Sequence, residues 1–169
     1  MKKVIVIGNC GSGKSTFSVA LAKATNLPLI HLDKLGWHGN FERVSKHEFD
    51  KMLCDELNKE RWIIDGNYNR TIQQRLEKCD TVFYFDLPVI VCLLSVIKRY
   101  FKYRKNARPD MADNCKDKID LRFYWFILTY KSKHGKRIEK MLNNSKSNGI
   151  EIIIFKSRKE VNKYINDIG

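Results

Sequence analysis

The chain opens with MKKVIVIGNCGSGKST, and this stretch constrains everything that follows it. The apolar run Val4-Ile5-Val6-Ile7 has the form of a strand buried on both faces, and it stops abruptly at Gly8. A glycine-rich stretch through Gly11, Ser12 and Gly13 leads to Lys14, Ser15 and Thr16. Phe17 to Ala24 then runs at helical spacing through Ala20, Leu21 and Ala24. A strand, a G-x-x-x-x-G-K-[ST] loop and a helix together wrap backbone N–H groups around a phosphate. The chemistry dictates the residue types. Glycines turn the backbone inward without Cβ clashes, and the helix N-terminus adds the positive end of its dipole. Lys14 has the length to reach β- and γ-phosphate oxygens, and the Ser15 hydroxyl suits Mg²⁺. The expected ligand is a nucleoside triphosphate, held by Gly8, Gly11, Ser12, Gly13, Lys14, Ser15 and Thr16.

At 169 residues the chain is long enough for one α/β domain that buries roughly 70% of its unfolded surface. With 43% hydrophobic and 30% charged residues it reads as globular. The longest apolar stretch, Leu87 to Ile97, contains Pro88 and is too short to span a bilayer, so no membrane partner is expected. No basic-then-apolar signal segment opens the chain, and the expected location is the cytoplasm. Five widely spaced cysteines without a C-x-x-C pair argue against a disulfide framework or a zinc site. A net charge of +13 implies an anionic partner, either nucleic acid or small polyanions held by arginines.

Further along, Pro28 to Leu32 reads as a short strand ending at Asp33. Ser45-Lys46-His47-Glu48 is a capping box, and Phe49, Met52, Leu53 and Leu57 mark one face of the helix it opens. Trp62-Ile63-Ile64 is a strand closed by Asp65-Gly66, a short helix spans about Ile72 to Lys78, and Thr81 to Phe85 is a further strand. Asp86-Leu87-Pro88 reads as a helix start with Asp86 as its cap. Leu121 to Asn143 is expected to be helical, Ile150 to Phe155 to be the last strand, and Ser157 to Glu160 a second capping box. Apolar strands alternating with helices give a five-stranded parallel sheet covered on both faces, with ligands at the strands' carboxyl ends. A helical lid is expected to be inserted over roughly 98–135.

Asp33 and Asp65 are the candidate catalytic carboxylates, because strand ends in such sheets face the crevice. Asp33 is suited to taking a proton from an acceptor hydroxyl, and Asp65 to ordering the Mg²⁺ shell, so Ser15 and Asp65 form the expected metal set. Arg70 suits bidentate clamping of an acceptor phosphate or carboxylate. Each has a bland alternative: a turn aspartate, a D-G turn, a solvated helix-start arginine. The segment Lys98 to Arg108 carries Arg99, Arg104 and Arg108, with Arg122 and Arg137 beyond it. It reads as a lid supplying cations to the transferred phosphoryl group, as a basic aromatic face for nucleic acid, or as a solvated amphipathic helix. His31, inside an apolar strand, reads as a satisfied core histidine. His38 beside Trp37 is a weaker candidate for lining the acceptor pocket.

These parts resemble the bacterial DNA topology modulation proteins (the FlaR-like group), themselves similar to the adenylate-kinase and shikimate-kinase branch of P-loop proteins. The resemblance rests on GNCGSGKST at Gly8 to Thr16, HLDKLGW at His31 to Trp37, WIIDGNYNRT at Trp62 to Thr71 and FYFDLP at Phe83 to Pro88. It implies ATP on Gly11, Gly13, Lys14, Ser15 and Thr16, Mg²⁺ at Ser15, an acceptor site near Asp33, Asp65, Gly66 and Arg70, and lid arginines near Arg99, Arg104 and Arg108. Two departures from adenylate kinase stand out. Asn67-Tyr68-Asn69 separates Arg70 from the D-G pair where that family has two residues, and the loop ends GKST, as in hydroxyl-phosphorylating kinases. The expectation is a kinase for a small-molecule or nucleotide acceptor, with an ATP-dependent nucleic-acid-binding protein as the alternative. The guanine-reading N-K-x-D element of GTPases has no counterpart after a later strand.

Overall fold

The computed structural model describes residues 1–38, 42–103 and 121–168. Five strands, β1 (Lys3–Gly8), β2 (Leu29–His31), β3 (Trp62–Asp65), β4 (Thr81–Phe85) and β5 (Glu151–Phe155), form one sheet in the order β2-β3-β1-β4-β5. Every neighbouring pair is parallel. The helices are α1 (Lys14–Thr25), α2 (Leu32–Leu35), α3 (Lys46–Leu57), α4 (Ile72–Leu76), α5 (Val89–Tyr103), α6 (Leu121–Tyr130), α7 (Lys136–Ser147) and α8 (Arg158–Ile168). A π-turn over Lys131–Gly135 joins α6 to α7 without a break.

The period of two along each strand splits the core into two layers. Ile5 and Ile7 of β1, with Ile64, Val82 and Tyr84, face one side and pack on Phe49, Leu53 and Leu57 of α3 and on Ile138 and Leu142 of α7. Val4 and Val6, with Ile63, Phe83 and Phe85, face the other and meet Phe17 and Leu21 of α1, Cys92 and Val96 of α5, and the inner side of α8. Phe17 lies edge-on to Phe83, Phe85 and Phe155, with ring centroids 4.8, 5.3 and 5.4 Å away. Truncating such a ring to alanine costs about 3–5 kcal/mol. Both serine caps form: Ser45 Oγ accepts from the Glu48 N–H at 3.2 Å, and Ser157 Oγ from the Glu160 N–H at 3.3 Å.

Two boundaries differ from expectation. β2 ends at His31 rather than Asp33, because β3, its partner among the described residues, runs out at the pair His31↔Asp65. Leu32 then buries itself completely and the chain winds a single helical turn, which places Asp33 in α2. Asp86 does not cap α5. That helix begins at Val89, where the Pro88 carbonyl accepts from the Val91 and Cys92 N–H groups, so Asp86 lies too far upstream. It pairs instead with Lys131 Nζ at 2.8 Å.

Of the stretch expected to form a lid, Lys98–Tyr103 continues α5, 104–120 lies outside the described residues, and 121–135 belongs to the α6–α7 helix, whose Ile127 and Tyr130 are buried in the core. Among the described residues, no helix is long and apolar enough to cross a membrane.

Candidate functional site

The carboxyl ends of β2, β3, β1 and β4 meet at one edge of the sheet, and the loop after β1 lies at its centre. Gly8 and Gly11 have φ of +143° and +77°. A Cβ on Gly8 would come within 2.5 Å of the Phe85 carbonyl oxygen, and one on Gly11 within 2.3 Å of the Cys92 carbonyl oxygen. The loop is thus pressed against β4 and α5 so closely that only glycine fits. Gly13, with φ of +99°, precedes α1; no side chain caps that helix and its first turn holds no acidic residue. The helix end with Lys14, Ser15 and Thr16 therefore keeps its positive character for an anion. Lys14 folds back so that Nζ donates to the Asn9 carbonyl at 2.8 Å.

Three side chains that the sequence reading passed over hold this loop. Asn9 is buried and its Nδ2 donates to the Ile127 carbonyl of α6 at 2.9 Å. The Gly8 N–H donates to Asn67 Oδ1 at 3.0 Å, and the Tyr130 hydroxyl donates to the same oxygen at 3.4 Å. Burial pushes the Tyr130 phenol well above its ordinary range, so it stays a donor. Asn67 thereby ties the end of β3 to the start of the phosphate loop.

Asp65 ends β3, in register with Val6 of β1, and is 5% exposed. His31 Nδ1 lies 3.0 Å from its Oδ2, so the histidine is the partnered one the sequence suggested. Asp65 Oδ1 is buried with no hydrogen-bond partner among the described residues, as are Ser12 Oγ and Asn9 Oδ1. Orphaned buried acceptors are rare in folded proteins. Their place beside the loop fits a polar ligand or a hydrated cation.

Asp33, in α2, bonds the Tyr68 hydroxyl. Burial first, and the neighbouring Asp33 charge second, push that phenol far above its ordinary range. Arg70 is exposed and forms a two-pronged pair with Asp50 of α3, Nη1 to Oδ2 at 2.8 Å and Nη2 to Oδ1 at 2.5 Å. That hydrogen bond holds the Asp50 carboxyl below its usual range. Arg99 is half-buried in the last turns of α5, while Arg122 and Arg137 are exposed on α6 and α7. Arg104 and Arg108 lie outside the described residues. His38 is exposed, 3.8 Å from Glu48.

The arginine that shapes the loop after β3 is Arg75, fully buried in α4. Its Nη1 donates to the Gly66 carbonyl at 2.8 Å, Nη2 to the carbonyls of Asn67 and Tyr68, and Nε to Thr71 at 3.4 Å. The D-G-N-Y loop is moulded around one guanidinium. Burial pulls that group down to about 10, which leaves it charged at neutral pH. The signal for it was present, since Arg75 shares a helix face with Ile72, Leu76 and Cys79. Among the described residues, no three His, Cys, Asp or Glu side chains converge as a metal cage.

With the sheet order and the loop geometry in view, the likeness to known structures is specific. The chain has the P-loop kinase fold of the shikimate kinases. It superposes on shikimate kinase from Bacteroides thetaiotaomicron with a TM-score of 0.59, at 16% identity, over 98% of this chain and 94% of that one. It matches shikimate kinase from Acinetobacter baumannii, solved in complex with shikimate, with a TM-score of 0.55 at 14% identity, over 99% and 93% of the two chains. No family model matches the chain. The resemblance to the DNA topology modulation group therefore rests on the motifs alone, and at these identities the superpositions show the fold.

Proposed function

We propose that this protein is an ATP-dependent kinase that transfers the γ-phosphoryl group to a hydroxyl of a small acceptor. The observation that carries the reading is the placement of a buried, half-partnered carboxylate, Asp65, on the strand beside the phosphate loop. A phosphate-binding loop with a neighbouring strand-end carboxylate is what phosphoryl transfer needs, since its catalysis is mostly positioning and charge neutralisation.

In this reading Gly8, Gly11, Ser12 and Gly13 shape the cradle, and the N-terminus of α1 faces the phosphates. Lys14 leaves the Asn9 carbonyl for a phosphate oxygen, exchanging a neutral partner for a charged one. The hydroxyls of Ser15 and Thr16 lie in the first turn beside it. Mg²⁺ bound with ATP would be held by Ser15 and, through water, by Asp65, and supplies neutralisation of the phosphate oxygens. His31 fixes the orientation of Asp65 through Oδ2. On the acceptor side, Asp33 takes the hydroxyl proton and Tyr68 holds Asp33 in position. Arg70, a turn away, recognises an anionic group on the acceptor by exchanging Asp50 for it. Arg99, Arg104 and Arg108, within the stretch read as a lid, neutralise the transferred group. The adenine side falls to Lys156, Ser157 and Arg158, where Arg158 bonds Ser95 of α5.

No observation on the described residues favours nucleic acid. The test is ADP release from MgATP across nucleosides, nucleoside monophosphates and small hydroxy acids, with Lys14→Ala as the blank. One acceptor is expected to stimulate release strongly, and release that is flat across the panel would overturn the reading.

A further inference from the structure

Two helices that pack against each other leave their outer faces apolar. On α5, Ile90, Leu94, Ile97 and Phe101 are 59, 60, 38 and 63% exposed, and on α6, Leu121, Trp125 and Leu128 are 80, 62 and 47% exposed. Their inner faces are already used, by Cys92 and Val96 on α5 and by Ile127 and Tyr130 on α6. Both outer rows advance in alternating steps of four and three residues, the spacing that lets one helix settle against another.

We infer that this face is a two-fold interface with a second copy of the chain, α5 and α6 of each copy packing as a four-helix layer. The size fits. At roughly 100 Å² for each half-exposed large side chain, the two rows amount to roughly 700 Å² per copy and roughly 1,400 Å² in all, within the range of stable protein interfaces. A two-fold interface needs a surface that matches itself, and rows of aliphatic and aromatic side chains do so without charge pairing. Phe101 and Trp125 on this face would also stack on bases, so the single-stranded DNA arm of the test distinguishes that occupant from a second copy. Neither Val89–Tyr103 nor residues 121–138 hold an acidic residue, while Lys98, Lys102 and Lys133 lie along them. Two such faces repel through their rims, and salt screens that repulsion. Association should therefore strengthen as salt rises, opposite to any binding of an anionic partner. The same helix, α6, meets the phosphate loop from its inner side, where the Ile127 carbonyl accepts from Asn9 Nδ2.

The test is sedimentation equilibrium of the full chain at low and high sodium chloride, with far-UV circular dichroism and thermal melting as checks of folding. The expected species has twice the 19.9 kDa chain mass, with a dissociation constant that falls as salt rises. Leu94→Ser with Trp125→Ser is expected to weaken the dimer about 100-fold with unchanged dichroism, since both side chains are exposed in the single chain. A monomer at about 100 µM, a dimer indifferent to the double substitution, or a face that binds anionic vesicles or single-stranded DNA in a salt-weakened, substitution-sensitive way would each overturn the assignment.

Discussion

His31 Nδ1 lies 3.0 Å from Asp65 Oδ2, while the other oxygen of the same buried carboxylate meets no partner among the described residues. In the proposed reading, one oxygen is committed to orientation and the other serves the chemistry. Asp65→Asn keeps the shape but removes the charge, and the amide is a poor partner for both the histidine and a hydrated cation. We expect kcat to fall by about 10² or more, with ATP binding measured without Mg²⁺ nearly unchanged. A variant retaining most of its turnover would remove Asp65 from the reaction.

Asn9 joins the phosphate loop to α6 across 118 residues of sequence. Asn9→Ala removes that bond and is expected to cost about 1 kcal/mol in stability. ATP should bind about fivefold more weakly, because the loop loses the strut that sets its shape. Paired urea denaturation and ATP titration separate the two effects.

Arg75→Met leaves the Gly66, Asn67 and Tyr68 carbonyls without their common donor. Each such loss costs about 1–3 kcal/mol, so destabilisation of at least about 3 kcal/mol is expected in urea denaturation. Because the loop carries Tyr68, the acceptor side should loosen more than the ATP side. A loss below about 1 kcal/mol would mean that water replaces the guanidinium without consequence.

What was legible in the sequence follows from which signals are local. The phosphate loop, the alternation of apolar strands with helices, and both serine caps depend on residues within a few positions of one another. The strand ends at Gly8 and Asp65 were readable for the same reason. Asn9 and Asn67 were missed because their partners, the Ile127 carbonyl and the Gly8 amide, come from distant elements that no spacing rule encodes. Arg75, by contrast, carried a local signal in its position on the apolar face of α4. Asp33 was placed at a strand end because Leu32 continues the apolar run, and only the length of β3 decides where the pairing of β2 stops. Asp86 resembled a cap because D-L-P does begin many helices, but its partner, Lys131, lies 45 residues on.

Acid should act on the fold through Asp80. Its Oδ2 accepts from the Lys2 and Lys3 N–H groups at 2.7 and 2.9 Å, and its Oδ1 from the Thr81 hydroxyl at 2.7 Å, which ties the start of β1 to β4. Burial raises its pKa, but the hydrogen bonds outweigh burial and the net shift is downward. A carboxyl depressed in the folded state contributes stability above its unfolded value, near 3.9, and loses it as pH falls through the folded one. Asp80→Asn should therefore lower the melting temperature at neutral pH and flatten its decline below about pH 4. Parallel melting curves for the two proteins through that acid range would contradict this.

The most direct test of the central claim follows the phosphorus atom itself. With γ-³²P-labelled ATP, Mg²⁺ and the acceptor that most stimulates ADP release, the label is expected on an acceptor hydroxyl, and Lys14→Ala should abolish the transfer without unfolding the protein. Label recovered only as inorganic phosphate, at a rate indifferent to every acceptor, would contradict the kinase account.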